Sequence, residues 1–133
     1  MRFLPILSLC LLSAGYAAEL TITVDNIKSD HGQILVAAYG KDQFLKQPVA
    51  VGRAVAASGK VVLTLNALPE GELAVSVIHD EDSNGKLNTN LLGMPTEPYG
   101  FSNDAAGQFG PPSFDQAKIQ IVAGSNATQL KLR

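Results

Sequence analysis

Apolar and polar residues alternate with a period of two along most of this chain, and that rhythm restricts it to β-structure. Leu20, Ile22 and Val24 share one face, with Thr21, Thr23 and Asp25 on the other. Val61, Leu63 and Leu65 alternate in the same way with Val62, Thr64 and Asn66, and Leu73, Val75 and Val77 repeat the pattern. Successive strand side chains leave on opposite faces, so alternation of this kind buries one face and wets the other. Gln33 to Tyr39 is apolar on both faces, which predicts a central strand. Val49 to Ala57 reads as a weaker strand, Ile119 and Ile121 as a short one, and Thr128, Leu130 and Leu132 as the last. Turn residues punctuate the series at Asp30-His31-Gly32, Ser58-Gly59, Leu68-Pro69-Glu70-Gly71 and Gly124-Ser125-Asn126. Lys41 to Lys46 has room for one helical turn before Pro48. Seven strands and almost no helical periodicity predict an all-β fold, a seven-stranded antiparallel β-sandwich.

The N-terminal residues follow a different logic. Arg2 is the only charge before Glu19, Phe3 to Leu12 is an apolar run, and Gly15 and Ala17 occupy the small-residue positions of a cleavage site after Ala17. The run is shorter than the roughly 18 to 20 residues of a membrane span, and Leu9 before Cys10 does not suit a lipoprotein site. The expectation is a signal peptide over residues 1–17, one exported domain over 18–133 and no membrane span. Cleavage removes Cys10, the only cysteine, so this domain is expected to hold without a disulfide. Without Arg2, the ten basic residues become nine against twelve acidic ones. No basic run is present, so nucleic acid and anionic membrane surfaces are not expected partners.

Residues 80 to 112 break the strand rhythm. This long loop holds five of the twelve glycines, four of the seven prolines and four asparagines. It also carries Tyr99, Phe101 and Phe109, a concentration of aromatics expected of a folded loop rather than a disordered one. At its start stands Asp80-Glu81-Asp82-Ser83-Asn84-Gly85-Lys86-Leu87-Asn88. With Asp80 as position 1, Asp82, Asn84 and Asn88 fall at positions 3, 5 and 9, Gly85 supplies the bend at 6, and Lys86 offers its carbonyl at 7. That is the order in which a calcium loop presents hard oxygen ligands. Position 12 is Leu91 instead of a bidentate Glu, which excludes a standard EF-hand. Glu97 and Asp104 are the candidates for the missing carboxylate. With two carboxylates and two amides, affinity is expected near 10⁻⁴ to 10⁻³ M, roughly that of extracellular modules. The competing reading is a metal-free turn, for which Asp, Asn and Gly are equally suited.

Other constellations carry other chemistry. His79 is a candidate general base or ligand, and equally a hydrogen-bonded structural histidine. An enzyme centred on His79 and Asp80 is the third functional class, and a triad with Ser76 or Ser102 has no nucleophile elbow to support it. Tyr99, Phe101 and Asn103, with Asn90 and Glu97 nearby, form a candidate platform for a carbohydrate or peptide. The alternative is that these rings pack the loop onto the sheets. Ser113 is placed to cap a short turn.

Taken together, Leu68-Pro69-Glu70-Gly71 ahead of Ala74-Val75-Ser76-Val77, His79-Asp80-Glu81, Asn84-Gly85-Lys86-Leu87, Thr89-Asn90, Gly93, Pro95, Tyr99-Gly100-Phe101-Ser102-Asn103 and Pro111-Pro112-Ser113-Phe114 resemble the bacterial exported family catalogued as domain of unknown function 2141. The resemblance covers essentially the whole chain after the signal segment. The family pattern usually has Asp at the place of Asn88 and often Asn at that of Asp104. It implies an exported β-sandwich and brings no established activity. The Leu68–Gly71 turn and its strand are more distantly similar to transthyretin-like and carboxypeptidase-regulatory-like sandwiches, so the expected subtype is immunoglobulin-like or transthyretin-like. The functional expectation is a binding or scaffold module for a protein, peptide or carbohydrate, with calcium as the candidate cofactor.

Overall fold

The computed structural model describes residues 18–89, 91 and 95–133. The expected signal segment, Cys10, Asn90 and Gly93 lie outside the described residues.

Eight strands make two sheets: β1 (Ala18–Ile27), β2 (Gln33–Tyr39), β3 (Ala50–Val55), β4 (Gly59–Leu68), β5 (Gly71–Asp80), β6 (Tyr99–Phe101), β7 (Lys118–Ile121) and β8 (Gly124–Lys131). The first sheet has the order β4-β1-β8, and the second runs β3-β2-β5-β6 with β7 also on β5. Both sheets turn one face to a shared core that includes Leu20, Ile22, Ile34, Val77, Leu130 and Leu132. The alternation in the sequence is the alternation of burial. In β1, Ala18, Leu20, Ile22 and Val24 point inward, and full burial of a side chain of the size of Leu20, Ile22 or Val24 contributes about 1.5–3 kcal/mol. Where the parity breaks, a bulge accounts for it. Asn26 adopts φ 64°, the β1–β4 register slips between Asp25 and Ile27, and Ile27 returns to the core.

Three expectations need correction. The strand count is eight, not seven, because β6 lies inside the stretch taken as one loop; three residues with a glycine at the centre show no periodicity. The sheets are not wholly antiparallel, since β1 and β8 run parallel from Ala18↔Gly124 to Asp25↔Lys131. Period-two alternation does not encode strand direction. The chain also leaves β7 in one sheet and begins β8 in the other, so Gly124-Ser125-Asn126 is strand rather than turn. The Asn126 amide donates to the Glu19 carbonyl at 3.0 Å across the parallel pair. β2 is central as expected, with β3 on one side and β5 on the other.

β5 is buried on both faces because it has neighbours on both sides and covers above and below. β2 flanks it along one edge, while β6 and β7 lie end to end along the other. On its outer face a second cluster forms from Ala74, Phe101, Phe114 and Ala117, with Phe44 and Tyr99 against it. Phe114 opens the single-turn helix α1 (Phe114–Ala117), which Ser113 and Gln116 start with reciprocal side-chain-to-backbone bonds. Lys41–Gln43 forms the expected short turn, as a 3₁₀ helix. No helix among the described residues is long and apolar enough to cross a membrane.

Candidate functional site at the end of β5

The last residue of β5, Asp80, sits fully buried at the point where the chain leaves the sheet. Its strand partner across the ladder is Gln33, the first residue of β2, and the Gln33 amide donates to Asp80 Oδ2 at 2.8 Å. The loop then folds back over the same carboxylate. Gly85 N–H donates to Oδ2 at 2.7 Å and Asn84 N–H to Oδ1 at 3.1 Å. Gly85 can turn there because its φ is 84°, a region costly to residues with a Cβ. Burial pushes the Asp80 carboxyl up, but the bonds from Gln33, Gly85 and Asn84 and the contact with Asp82 outweigh it and hold it below the ordinary Asp range.

A close approach makes this corner possible. Gly32, in the turn before β2, has φ 74°, and a Cβ there would lie 2.1 Å from the Asp80 carbonyl oxygen and 2.6 Å from that of Glu81. Only glycine lets the β1–β2 turn pass under the end of β5.

Glu97 closes the loop from its far end. Its Oε2 accepts from Glu81 N–H at 2.8 Å and its Oε1 from Asn88 N–H at 3.0 Å. The side chain is 7% exposed. Oxygens of Asp80, Asp82 and Glu97 all lie within 4.8 Å of one another. Beside them, Asp82 Oδ2 accepts from the Asn88 amide at 2.8 Å, and Asn84 donates to Asn88 Oδ1 at 2.6 Å. Among the described residues no Lys, Arg or His forms an ion pair with these carboxylates; the ion pairs are His31–Asp30, Lys118–Glu72 and Lys118–Asp115.

Of the expected ligand residues, Asp80, Asp82, Asn84 and Asn88 are thus drawn into one hydrogen-bonded group, and Glu97 joins them from the returning chain; Leu91 is exposed. Lys86 donates its N–H to Asn84 Oδ1 at 3.1 Å on the outer side of the loop. Asp104 is not part of the group. It accepts from Lys131 N–H at 2.9 Å, and its carbonyl accepts from Arg133. Asn90 lies outside the described residues. Gln33 was not singled out in the sequence, because nothing in a chain 47 positions apart announces the pairing of β2 with the end of β5.

His79 points the other way from Asp80, as neighbours in a strand must. It lies in the row of Ile34, fully buried. Its Nε2 bonds to the His31 carbonyl at 2.7 Å, and since a carbonyl only accepts, that nitrogen carries the hydrogen. Nδ1 is buried with no partner among the described residues. Ser102 Oγ is taken up by Val75 N–H at 3.0 Å and by the Ala117 carbonyl, and Ser76 belongs to the outer face of β5. These groups form no nucleophile–base arrangement with His79.

The aromatic candidates are packing residues in this structure. Phe101 is 7% exposed and meets Tyr99 and Phe44 edge-on, with ring centroids 6.2 and 6.4 Å apart. Phe44 also meets Phe114 at 5.8 Å. The Asn103 amide donates to the carbonyls of Gln116 and Lys118, which ties the 3₁₀ turn Ser102–Asp104 to α1.

Comparison with curated proteins and with solved structures gives no match for the chain. A family model does match, over residues 22–129, a span that runs from β1 into β8 and includes every residue of the Asp80 corner. On that match the chain belongs to the family described as uncharacterized protein conserved in bacteria, DUF2141.

Proposed function

We propose that the loop leaving β5 is a calcium-ordered surface of an exported binding or scaffold module. The observation that supports this reading is the convergence of Asp80, Asp82 and Glu97 within 4.8 Å in a corner without a cationic partner among the described residues. Three carboxylates at that separation repel one another, and a hard divalent cation relieves the repulsion while accepting oxygens from Asn84, Asn88 and the Lys86 carbonyl. Glu97 takes the part that the twelfth residue plays in a standard calcium loop, arriving from the returning chain. Its hydrogen bonds to Glu81 and Asn88 already hold the two arms of the loop together. Binding requires Asp82 and Asn88 to release each other, so the affinity belongs in the range of about 10⁻⁴ to 10⁻³ M.

The parallel β1–β8 pair departs from the constant-type immunoglobulin arrangement of two antiparallel sheets. In such a module the ordered loop presents the partner-binding surface, and the sheets hold its two ends. Calorimetric titration of the exported form with calcium tests the proposal. One site of submillimolar to millimolar affinity, weakened at least about tenfold by Asp82→Asn, supports it. No binding heat at several millimolar calcium, in a protein shown to be folded, makes the corner a self-satisfied turn.

A further inference from the structure

The outer face of the five-stranded sheet is only half covered. The register sets Arg53, Leu35, Ile78 and Tyr99 in one row and Val51, Ala37, Ser76 and Phe101 in the next. The aromatic cluster and α1 cover the side of β6 and β7. Toward β3 the face is open, and a groove of about 480 Å³ runs over Leu35, Ala37, Ser76 and Ile78, with Val51 along one side and the ring of Tyr39 at one end.

Its shape follows from side-chain size. Ala37 and Ser76 are small and stand between Val51 and Phe101, so the middle of the row is a trough. Three strand spacings separate those walls, about 14 Å. Once the walls' own side chains are subtracted, the trough has the width of one extended alkyl chain. Along the strands, four residues from Arg53 to Val49 give a length of about 13 Å, closed at that end by Tyr39 and Pro48. The groove is open along its length, unlike an enclosed small-ligand cavity, but like one it combines apolar walls with a few polar groups. Here the polar groups are Ser76 on the floor and Arg53 at the open end. Arg53 is exposed and has no carboxylate partner among the described residues. Val51 is 67% exposed and Val55 81%, so the apolar surface continues along the rim.

We propose that this groove binds a carboxylate amphiphile, with its single alkyl chain over Ala37 and Ser76 and its carboxylate on Arg53. Charge complementarity at one end and an apolar trough one chain wide are what this class requires. The Arg53–Leu35–Ile78 row adjoins the Gln33–Asp80 row on the same face, so the groove meets the Asp80 corner at its Arg53 end; the proposal does not rest on calcium binding there.

The test is calorimetry of the whole exported chain with sodium dodecanoate below its micellar concentration, with octanoate and acetate as comparators. Dodecanoate binds; octanoate binds at least about tenfold more weakly, since each buried methylene contributes about fourfold; acetate gives no heat. Arg53→Gln weakens dodecanoate by about fivefold, the value of one exposed ion pair. Val51→Glu, on an exposed side chain that folding does not need, puts a like charge on the rim and weakens it further with the melting temperature unchanged. Ala37→Phe fills the trough and removes binding. Absence of dodecanoate binding, or equal affinity in Val51→Glu, overturns the proposal. So does sedimentation showing a wild-type dimer that Val51→Glu dissociates, because the groove would then be covered by a second copy.

Discussion

Removing the Asp80 side chain is the most informative single change in this protein. The carboxylate receives three hydrogen bonds, from Gln33, Gly85 and Asn84. A hydrogen bond to a charged group contributes about 1.5–3 kcal/mol, which places the upper bound well above 4 kcal/mol. Two effects reduce it. Asn84 and Gly85 are exposed, so their N–H groups reach water when the loop loosens, and Asp80→Ala also recovers the cost of holding a charge out of water. The net expectation is a loss of about 3 kcal/mol in EDTA, read as a fall in melting temperature of about 12 °C for a domain of this size. Asp80→Asn keeps one acceptor oxygen and is expected to lose about 2 kcal/mol. The pH dependence separates charge from shape. The folded pKa of Asp80 lies below its unfolded value, so in that window the unfolded chain binds more protons and stability rises with pH. The advantage of wild type over Asp80→Asn is therefore full above the unfolded value of about 3.9 and shrinks as pH falls through the folded pKa. Urea denaturation from pH 7 down to pH 2 measures it. A loss under about 1 kcal/mol for Asp80→Ala, or a wild-type advantage that stays constant to pH 2, refutes the reasoning.

Two further changes report on neighbouring parts of the argument. Glu97→Gln weakens the bonds that Glu97 accepts from Glu81 and Asn88; it costs about 1–2 kcal/mol, and hydrogen exchange is expected to speed up at those two amides before the β5 core responds. Phe114→Ala opens the outer cluster, where Phe114 is 7% exposed; it costs about 3 kcal/mol or more and leaves calcium titration unaltered if the two regions are independent.

The sequence carried the strands well wherever burial was one-sided. β1 up to Asp25, β4 from Val61 to Asn66 and the inner face of β5 follow the alternation, because each points one set of side chains at a single shared core. The reading failed where local pattern is silent. β6 is stabilised by Ser76, Val77 and Ile78 of β5 and by exchange of backbone bonds between Tyr99 and Arg133 at 3.3 and 3.0 Å, none of which appears in its own three residues. The parallel course of β8 is likewise a property of its partner. At the candidate site, the spacing of Asp80, Asp82, Asn84 and Asn88 was legible because a loop with alternating inward residues is a local object. That Glu97 and not Asp104 completes it is a matter of where the returning chain passes. The aromatics were visible as a concentration, but only the ring contacts with Phe44 and Phe114 distinguish a small core from a binding platform.

The central claim is tested most directly by the melting temperature of residues 18–133 in EDTA, in calcium and in magnesium. At calcium about 100 times the dissociation constant, binding to the native state adds about 2.7 kcal/mol, a rise of near 10 °C. The account predicts that rise with calcium, little with magnesium, and none in the Asp80→Asn/Asp82→Asn double variant. An unchanged midpoint at concentrations well above 10⁻³ M, the weak end of the expected range, would contradict it and leave the Asp80 corner as a hydrogen-bonded turn.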